Sequence, residues 1–294
     1  MKNTRYICLE GTEGVGKGTQ TDMLIEYLRS KGYSVLHTKE PGTPHLPLTQ
    51  TLRGVMLNNK YEKPENVGLL IQDLENLIKD ESVNFTTTAL EFIKKALASI
   101  KEEQKMSLTG RELVSQAIRS IHLEKLIKES MGQYDFIIQD RGILSGMAYG
   151  EACGNPISDL RALATTVTGE SHIRPRDIIQ KTLIKLKLMR EYSDVYDYII
   201  YLNGNSKKGL ETAQGAKQEF TDGDAMELKG NSFMENVANN FKNLRKEFNA
   251  VAIVEVHEEV DEDLISDSDM KTIKVLKFRD KNIIFNEIKK VLGV

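Results

Sequence analysis

The chain is predicted to fold as an α/β protein, an open parallel sheet with helices on both faces. Short apolar runs rich in β-formers recur along it, and helical periodicity fills the spaces between them. The first run also passes straight into a glycine-rich turn and an amphipathic helix. Residues 6–10 (YICLE) make the first strand, and Met23, Leu24, Tyr27 and Leu28 mark one face of the helix that follows. Residues 33–38 (YSVLHT) come one helix later, the spacing of a parallel crossover. Residues 134–139 (YDFIIQ) and 197–202 (DYIIYL) supply a third and a fourth strand. Residues 251–256 or 274–278 supply a fifth and a sixth.

Composition narrows the class. Of 294 residues, 40% are hydrophobic and 28% charged, which excludes wholesale disorder, a collagen-like chain and a disulfide scaffold. Forty Lys plus Arg against 43 Asp plus Glu leave a formal charge of −3, so no global basic field exists to hold nucleic acid, and any polyanion must be gripped locally. Cys8 and Cys153 lie far apart and form no framework, which fits a reducing compartment. Without a membrane-length apolar run or a signal-peptide pattern, the expected setting is the cytoplasm, with no membrane partner.

Residues 1–294 read as a single domain, with three stretches outside a minimal unit of this class. Residues 61–107 carry Leu70, Ile71, Leu74, Leu77 and later Leu90, Ile93, Leu97, Ile100 at helical spacing, an inserted helical pair. Its apolar stripe reads first as core; a homodimer face or a cover over a substrate are the other readings. Residues 154–192 hold His172, Arg174 and Arg176, then an amphipathic helix through Ile178, Leu183, Leu186 and Met189. Residues 204–230 are polar and glycine-spaced, the composition of a lid. The histidines are dispersed, with no zinc spacing, and the acidic run at 257–269 lacks the spacing of a calcium loop.

Gly11-Thr12-Glu13-Gly14-Val15-Gly16-Lys17-Gly18-Thr19 fits GxxxxGK, in which backbone N–H groups wrap a polyphosphate and the lysine reaches the transferring end. A bare match of this kind arises by chance. Its position gives it weight: it follows an apolar strand and opens a helix whose N-terminal dipole favours an anion. Gly11, Glu13, Gly14, Val15, Gly16, Lys17, Gly18 and Thr19 are therefore the expected cofactor-binding set. The residue after lysine is Gly18, so the usual hydroxyl for Mg²⁺ is missing there, and Thr19 is the nearest one. Asp140 ends a predicted strand, where open α/β sheets place ligand-facing carboxylates, and would hold Mg²⁺ through water.

The phosphate loop, then TKEPGTP at 38–44, LVSQAIRSIH at 113–122 and QDRGILSGMAYG at 139–150, resembles the thymidylate kinases in content and order. A weaker likeness is Asp224-Ala225-Met226-Glu227 followed by NSFMENVANNF. The resemblance implies a P-loop kinase fold that uses ATP and Mg²⁺ to phosphorylate a deoxynucleoside monophosphate, dTMP or a related pyrimidine, to the diphosphate. Such chemistry gathers many negative charges, so cations must converge. Lys17, Asp140 and Arg141 are the expected catalytic residues. Glu13, Glu40, Arg53, Arg119, Arg141, Ser145 and Tyr149 match the family's substrate positions, with Glu13 facing the sugar hydroxyl.

Departures from the pattern leave the acceptor open. Ser115 stands where the family stacks a phenylalanine on the base, Lys39 replaces an arginine and Gly142 a tyrosine. Neither loop nor lid offers an arginine. Lys207, Lys208, Lys217 and Lys229, or Arg174, Arg176 and Arg190 from the preceding stretch, are the replacement cations. Two rivals remain: a kinase for a nucleoside or a modified base in DNA, and an inactive nucleotide-binding protein. The large extra segments suit a divergent, virus-encoded lineage.

Overall fold

The computed structural model describes residues 2–173, 182–183, 185–186, 192–204, 229–248, 251–256, 271–275 and 281–294. The strands are β1 (Arg5–Glu10), β2 (Val35–Lys39), β3 (Phe136–Asp140), β4 (Tyr198–Gly204), β5 (Val251–Val256) and β6 (Lys271–Val275). They form one sheet in the order β2-β3-β1-β4-β5-β6, with every pairing parallel. β5 coincides with the expected strand at 251–256, whereas β6 begins three residues before the expected 274–278 and shares only Lys274 and Val275 with it, residues 276–278 lying outside the described residues; the sheet has the predicted class.

The central strands are buried on both faces, as parallel strands under two helical layers must be. Period-two alternation divides them. Tyr6 and Cys8 of β1, with Ile137, Ile199 and Tyr201, enter one core. Ile7 and Leu9, with Ile138, Ile200 and Leu202, enter the other. The second core lies under α1 (Lys17–Ser30) and α10 (Lys281–Leu292), which contribute Leu24, Leu28, Ile284 and Ile288.

The first core is larger. It is built with α2 (Pro47–Leu57), α5 (Leu108–His122), α7 (Ile143–Ala152), α8 (Ile157–Ser171) and α9 (Gly230–Leu244). A π-helical turn (Leu123–Ile127) and the short α6 (Lys128–Ser130) lead from α5 toward β3. Residues 61–107 supply α3 (Val67–Lys79) and α4 (Thr87–Glu103). Ala89, Phe92, Ile93, Ala96 and Ile100 form one buried stripe on α4, which packs along α5. Local capping sets where these helices start: Thr86 Oγ1 accepts from Ala89 N at 3.1 Å, and Ser107 Oγ accepts from Gly110 N at 2.8 Å.

Two boundaries differ from expectation. Residues 33–34 and 134–135 stay out of the ladder because the Asp135 carboxylate accepts from Ser34 N at 2.8 Å and Ser34 Oγ at 2.7 Å, which makes a turn clamp there. In the 154–192 stretch the sequence placed a helix around 178–189, much of which lies outside the described residues; the structure places α8 earlier, at Ile157–Ser171.

Candidate active site

β1 and β3 are neighbours, with Leu9 opposite Asp140, so their carboxyl ends open one crevice. The phosphate loop leaves β1 there. Gly11 has φ 145°, and a Cβ on it would lie 2.5 Å from the Leu202 carbonyl oxygen, so no larger residue fits. Gly16, at φ 92°, turns the chain into α1. Val15 is buried in the second core and anchors the loop. Lys17 is also buried, and its Nζ donates to the Thr12 carbonyl at 2.6 Å. Burial, and then the charge of Arg141, lower its pKa to about 8, against the pull of Glu13, Asp140 and Glu10. Gly18 and Thr19 are exposed on the first turn of α1.

A cavity of about 310 Å³ adjoins the loop. Glu13, Glu40, Arg53, Arg119, Asp140, Arg141, Ser145 and Tyr149 all line it, so the structure brings the sequence-predicted substrate residues together. Arg141 follows β3 in a left-handed conformation, φ 60°, which is strained for a residue with a Cβ. Its Nη2 donates to Glu13 Oε1 at 2.6 Å and its Nη1 to Gly11 O at 3.1 Å. The guanidinium also lies over the Tyr149 ring, 5.2 Å from its centroid. Burial opposes its charge, but Glu13 beside it holds the pKa above the ordinary arginine value. Asp140 Oδ1 is buried and has no hydrogen-bond partner among the described residues.

Arg119 is held deep in the wall. Its Nε donates to Glu40 Oε2 at 2.8 Å, its Nη1 to Gln116 Oε1 at 3.0 Å and its Nη2 to Gly142 O at 3.4 Å. His122 contacts Glu40 Oε1 at 2.9 Å and Thr38 Oγ1 at 2.8 Å. Burial pushes the Glu40 carboxyl up, but Arg119 and His122 outweigh it, and the pKa ends below the ordinary value. Glu40 therefore acts here first as the anchor of Arg119. The Glu40–Pro41 peptide is cis. Arg53 reaches the cavity over Gly42, whose missing Cβ would meet the arginine stem at 3.0 Å. Ser145 lines the cavity, yet its hydroxyl donates to Glu10 Oε2 and its N–H to Glu10 Oε1 at 3.2 Å. Burial raises the pKa of Glu10.

The departures have physical counterparts. A Cβ on Gly142 would overlap the Tyr196 hydroxyl, so the ring from the segment before β4 occupies the space where the family's tyrosine side chain would begin. A Cβ on Gly146 would overlap the Arg119 guanidinium. Ser115 and Lys39 both line the cavity, as does Tyr149, the aromatic residue among the described lining. Of the candidate lid cations, Arg174, Arg176, Arg190, Lys207, Lys208 and Lys217 lie outside the described residues, as do Asp224 to Glu227. Lys229 is described: its Nζ is 5.3 Å from the Phe233 ring centroid, and that ring packs on Tyr149.

Sequence reading missed Glu10, Glu112, Gln116 and Tyr196. Glu112, Gln116 and Arg119 do carry a signal, since spacings of four and three put them on one face of α5. Tyr196 carries none, because only the tertiary fold brings it beside Gly142. Among the described residues no group of three His, Cys, Asp or Glu side chains is placed to hold a metal. No helix among them is long and apolar enough to cross a membrane.

The thymidylate kinase family model matches residues 9–74. A probable thymidylate kinase of Thermococcus kodakarensis is 28% identical over 149 residues, 51% of this chain and 54% of that protein. The thymidylate kinase of Bartonella quintana is 32% identical over 113 residues, 38% of this chain and 46% of that one. The chain thus spans about half the length of the curated relatives it matches. The crystal structure of thymidylate kinase from Ehrlichia chaffeensis shares the fold over 99% of both chains, with a TM-score of 0.50 and 20% identity. Over the matched segment the chain is similar to the thymidylate kinases, and its fold over its whole length is that of one of them.

Proposed function

We propose that the protein transfers the γ-phosphoryl group of ATP to a deoxynucleoside monophosphate, dTMP or a pyrimidine relative, forming the diphosphate. The convergence of Arg53, Arg119 and Arg141 on one cavity beside the loop of Lys17 carries this reading. Similarity to thymidylate kinases supports thymidylate as the acceptor.

In this reading the N–H groups of residues 11–19 cradle the donor phosphates. Lys17 exchanges the Thr12 carbonyl for a phosphate oxygen. Arg141 and Arg53 grip the acceptor phosphate, Arg119 lines the wall behind it, and Glu13 faces the sugar. The unpartnered Asp140 Oδ1 at the sheet edge suits a Mg²⁺-bound water, whereas Thr19, exposed on the outer turn, is a weaker candidate. When bound, Mg²⁺ would neutralise charge on the phosphates.

A coupled ADP-release assay across nucleoside monophosphates, nucleosides and DNA tests the proposal. Turnover with dTMP, lost in Arg141→Ala while ATP still binds, is the expected result. Turnover restricted to nucleosides or DNA, or ATP binding without turnover on any acceptor, rejects it.

A further inference from the structure

We propose that Glu112 reads the acceptor base, its Oε2 accepting the ring N–H of a pyrimidine imide, which makes it the specificity-determining residue of the cavity. This rests on the function proposed above. Glu112 is buried on α5 and lines the cavity. Its surroundings fix which oxygen is available. Arg119 Nη1 donates to Gln116 Oε1 at 3.0 Å, so the amide oxygen of Gln116 faces the guanidinium and its nitrogen faces Glu112. That nitrogen donates to Glu112 Oε1 at 2.7 Å. Glu112 Oε2 has no hydrogen bond among the described residues.

A carboxyl oxygen that opens on a cavity while its partner oxygen is held by the wall is placed to accept a donor that a ligand supplies. The position suits a base. Along α7, Gly146 lies against Arg119 and Gly150 against Glu112, where a built Cβ would sit 3.0 Å from Oε2. From Ser145 to Gly150 the helix rises about 7.5 Å, which leaves room for a sugar between a phosphate held by Arg141 and a base edge at Glu112. Ser115, one turn along the same face, offers no ring to stack on. The base is then held by its hydrogen-bonding edge, and a site built that way strongly rejects an analogue lacking the donor.

The experiment compares kcat/KM for dTMP, N3-methyl-dTMP and dCMP in the wild type, Glu112→Leu and Glu112→Gln. The wild type should prefer dTMP over its N3-methyl analogue by about a hundredfold, and Glu112→Leu should reduce that preference to about threefold. In Glu112→Gln the Gln116 amide keeps the oxygen, so the new NH₂ faces the cavity and favours the N3 acceptor of cytosine. The dCMP to dTMP ratio should then rise about tenfold. Undiminished methyl discrimination in Glu112→Leu, or an unmoved ratio in Glu112→Gln, overturns the proposal. Should Glu112→Leu fail to fold, the isosteric Glu112→Gln decides. Should the wild type turn over no monophosphate, the kinase reading has failed. Thermal shifts with dTMP and N3-methyl-dTMP, in wild type and Glu112→Gln, then still judge Glu112: a wild-type preference for dTMP that Glu112→Gln abolishes supports its role, and equal shifts overturn it.

Discussion

Raising the pH from 7 to 9 is expected to weaken ATP binding about tenfold, and Lys17 is the reason. Burial and the nearby Arg141 hold its pKa at about 8, well under the ordinary 10.5. In the empty site the side chain is about nine-tenths charged at pH 7 and about one-tenth at pH 9. A polyphosphate on the ammonium restores the higher value, so above pH 8 binding must first take up a proton. Calorimetry in two buffers of different ionisation enthalpy should therefore show uptake of about half a proton per nucleotide at pH 8 and almost none at pH 6. Lys17→Met should bind weakly and without this dependence. The same shift acts on stability. Between pH 8 and 10.5 the unfolded chain holds the proton and the folded chain does not, so stability rises with pH there. Below pH 8 the buried charge costs about 3 kcal/mol in the absence of ligand. Proton release on binding, or an affinity constant from pH 7 to 9, would refute the assignment of Lys17 to the phosphates.

Gly146→Ala should drive a methyl into the Arg119 guanidinium and raise KM for the monophosphate about tenfold while the Kd for ATP stays constant; steady-state kinetics with a binding titration checks both. Gly142→Ala should lose about 1–3 kcal/mol in urea unfolding through its clash with the Tyr196 hydroxyl, and Tyr196→Phe should restore much of it. A double-mutant cycle showing no coupling would count against that contact. Glu40→Gln leaves Arg119 buried without its counter-charge and should cost about 3–5 kcal/mol. Because the Glu40 carboxyl is held below its ordinary value, its contribution is complete above about pH 4.5 and fades as the pH falls through the folded value. Acid unfolding of the variant should accordingly be shallower.

The sheet was legible because its strands carry their own signals. Residues 251–256 were placed to the residue, since four of the six are Val or Ile, which favour a strand, and a polar, acidic stretch follows. Where a side chain overrules propensity the reading slipped: Asp135 ties down Ser34, and the ladder starts two residues late. In the site, the glycine turn and the arginines stood out because few residue types can do their work. The supporting wall did not. Glu10 looks like the last residue of a strand, and its contact with Ser145 spans more than a hundred positions. Residues 61–107 offered core, dimer face and cover as readings. Their α4 packs on α5, and no described residue of 61–107 lines the cavity.

Arg141 has almost nowhere to go. Its N–H is held by Leu9 O at 2.9 Å, its carbonyl by Gln139 Nε2 at 2.7 Å, and its guanidinium by Glu13 and Ser145 over the face of Tyr149. A side chain ordered this fully has surrendered its rotamer entropy during folding, so a phosphate bound as proposed would meet a donor already aimed, with little further freedom to lose. Such rigidity also makes the arginine indifferent to what the phosphate is attached to. Under the proposed function, selectivity must then be exercised farther along α7, by groups that a nucleobase can reach.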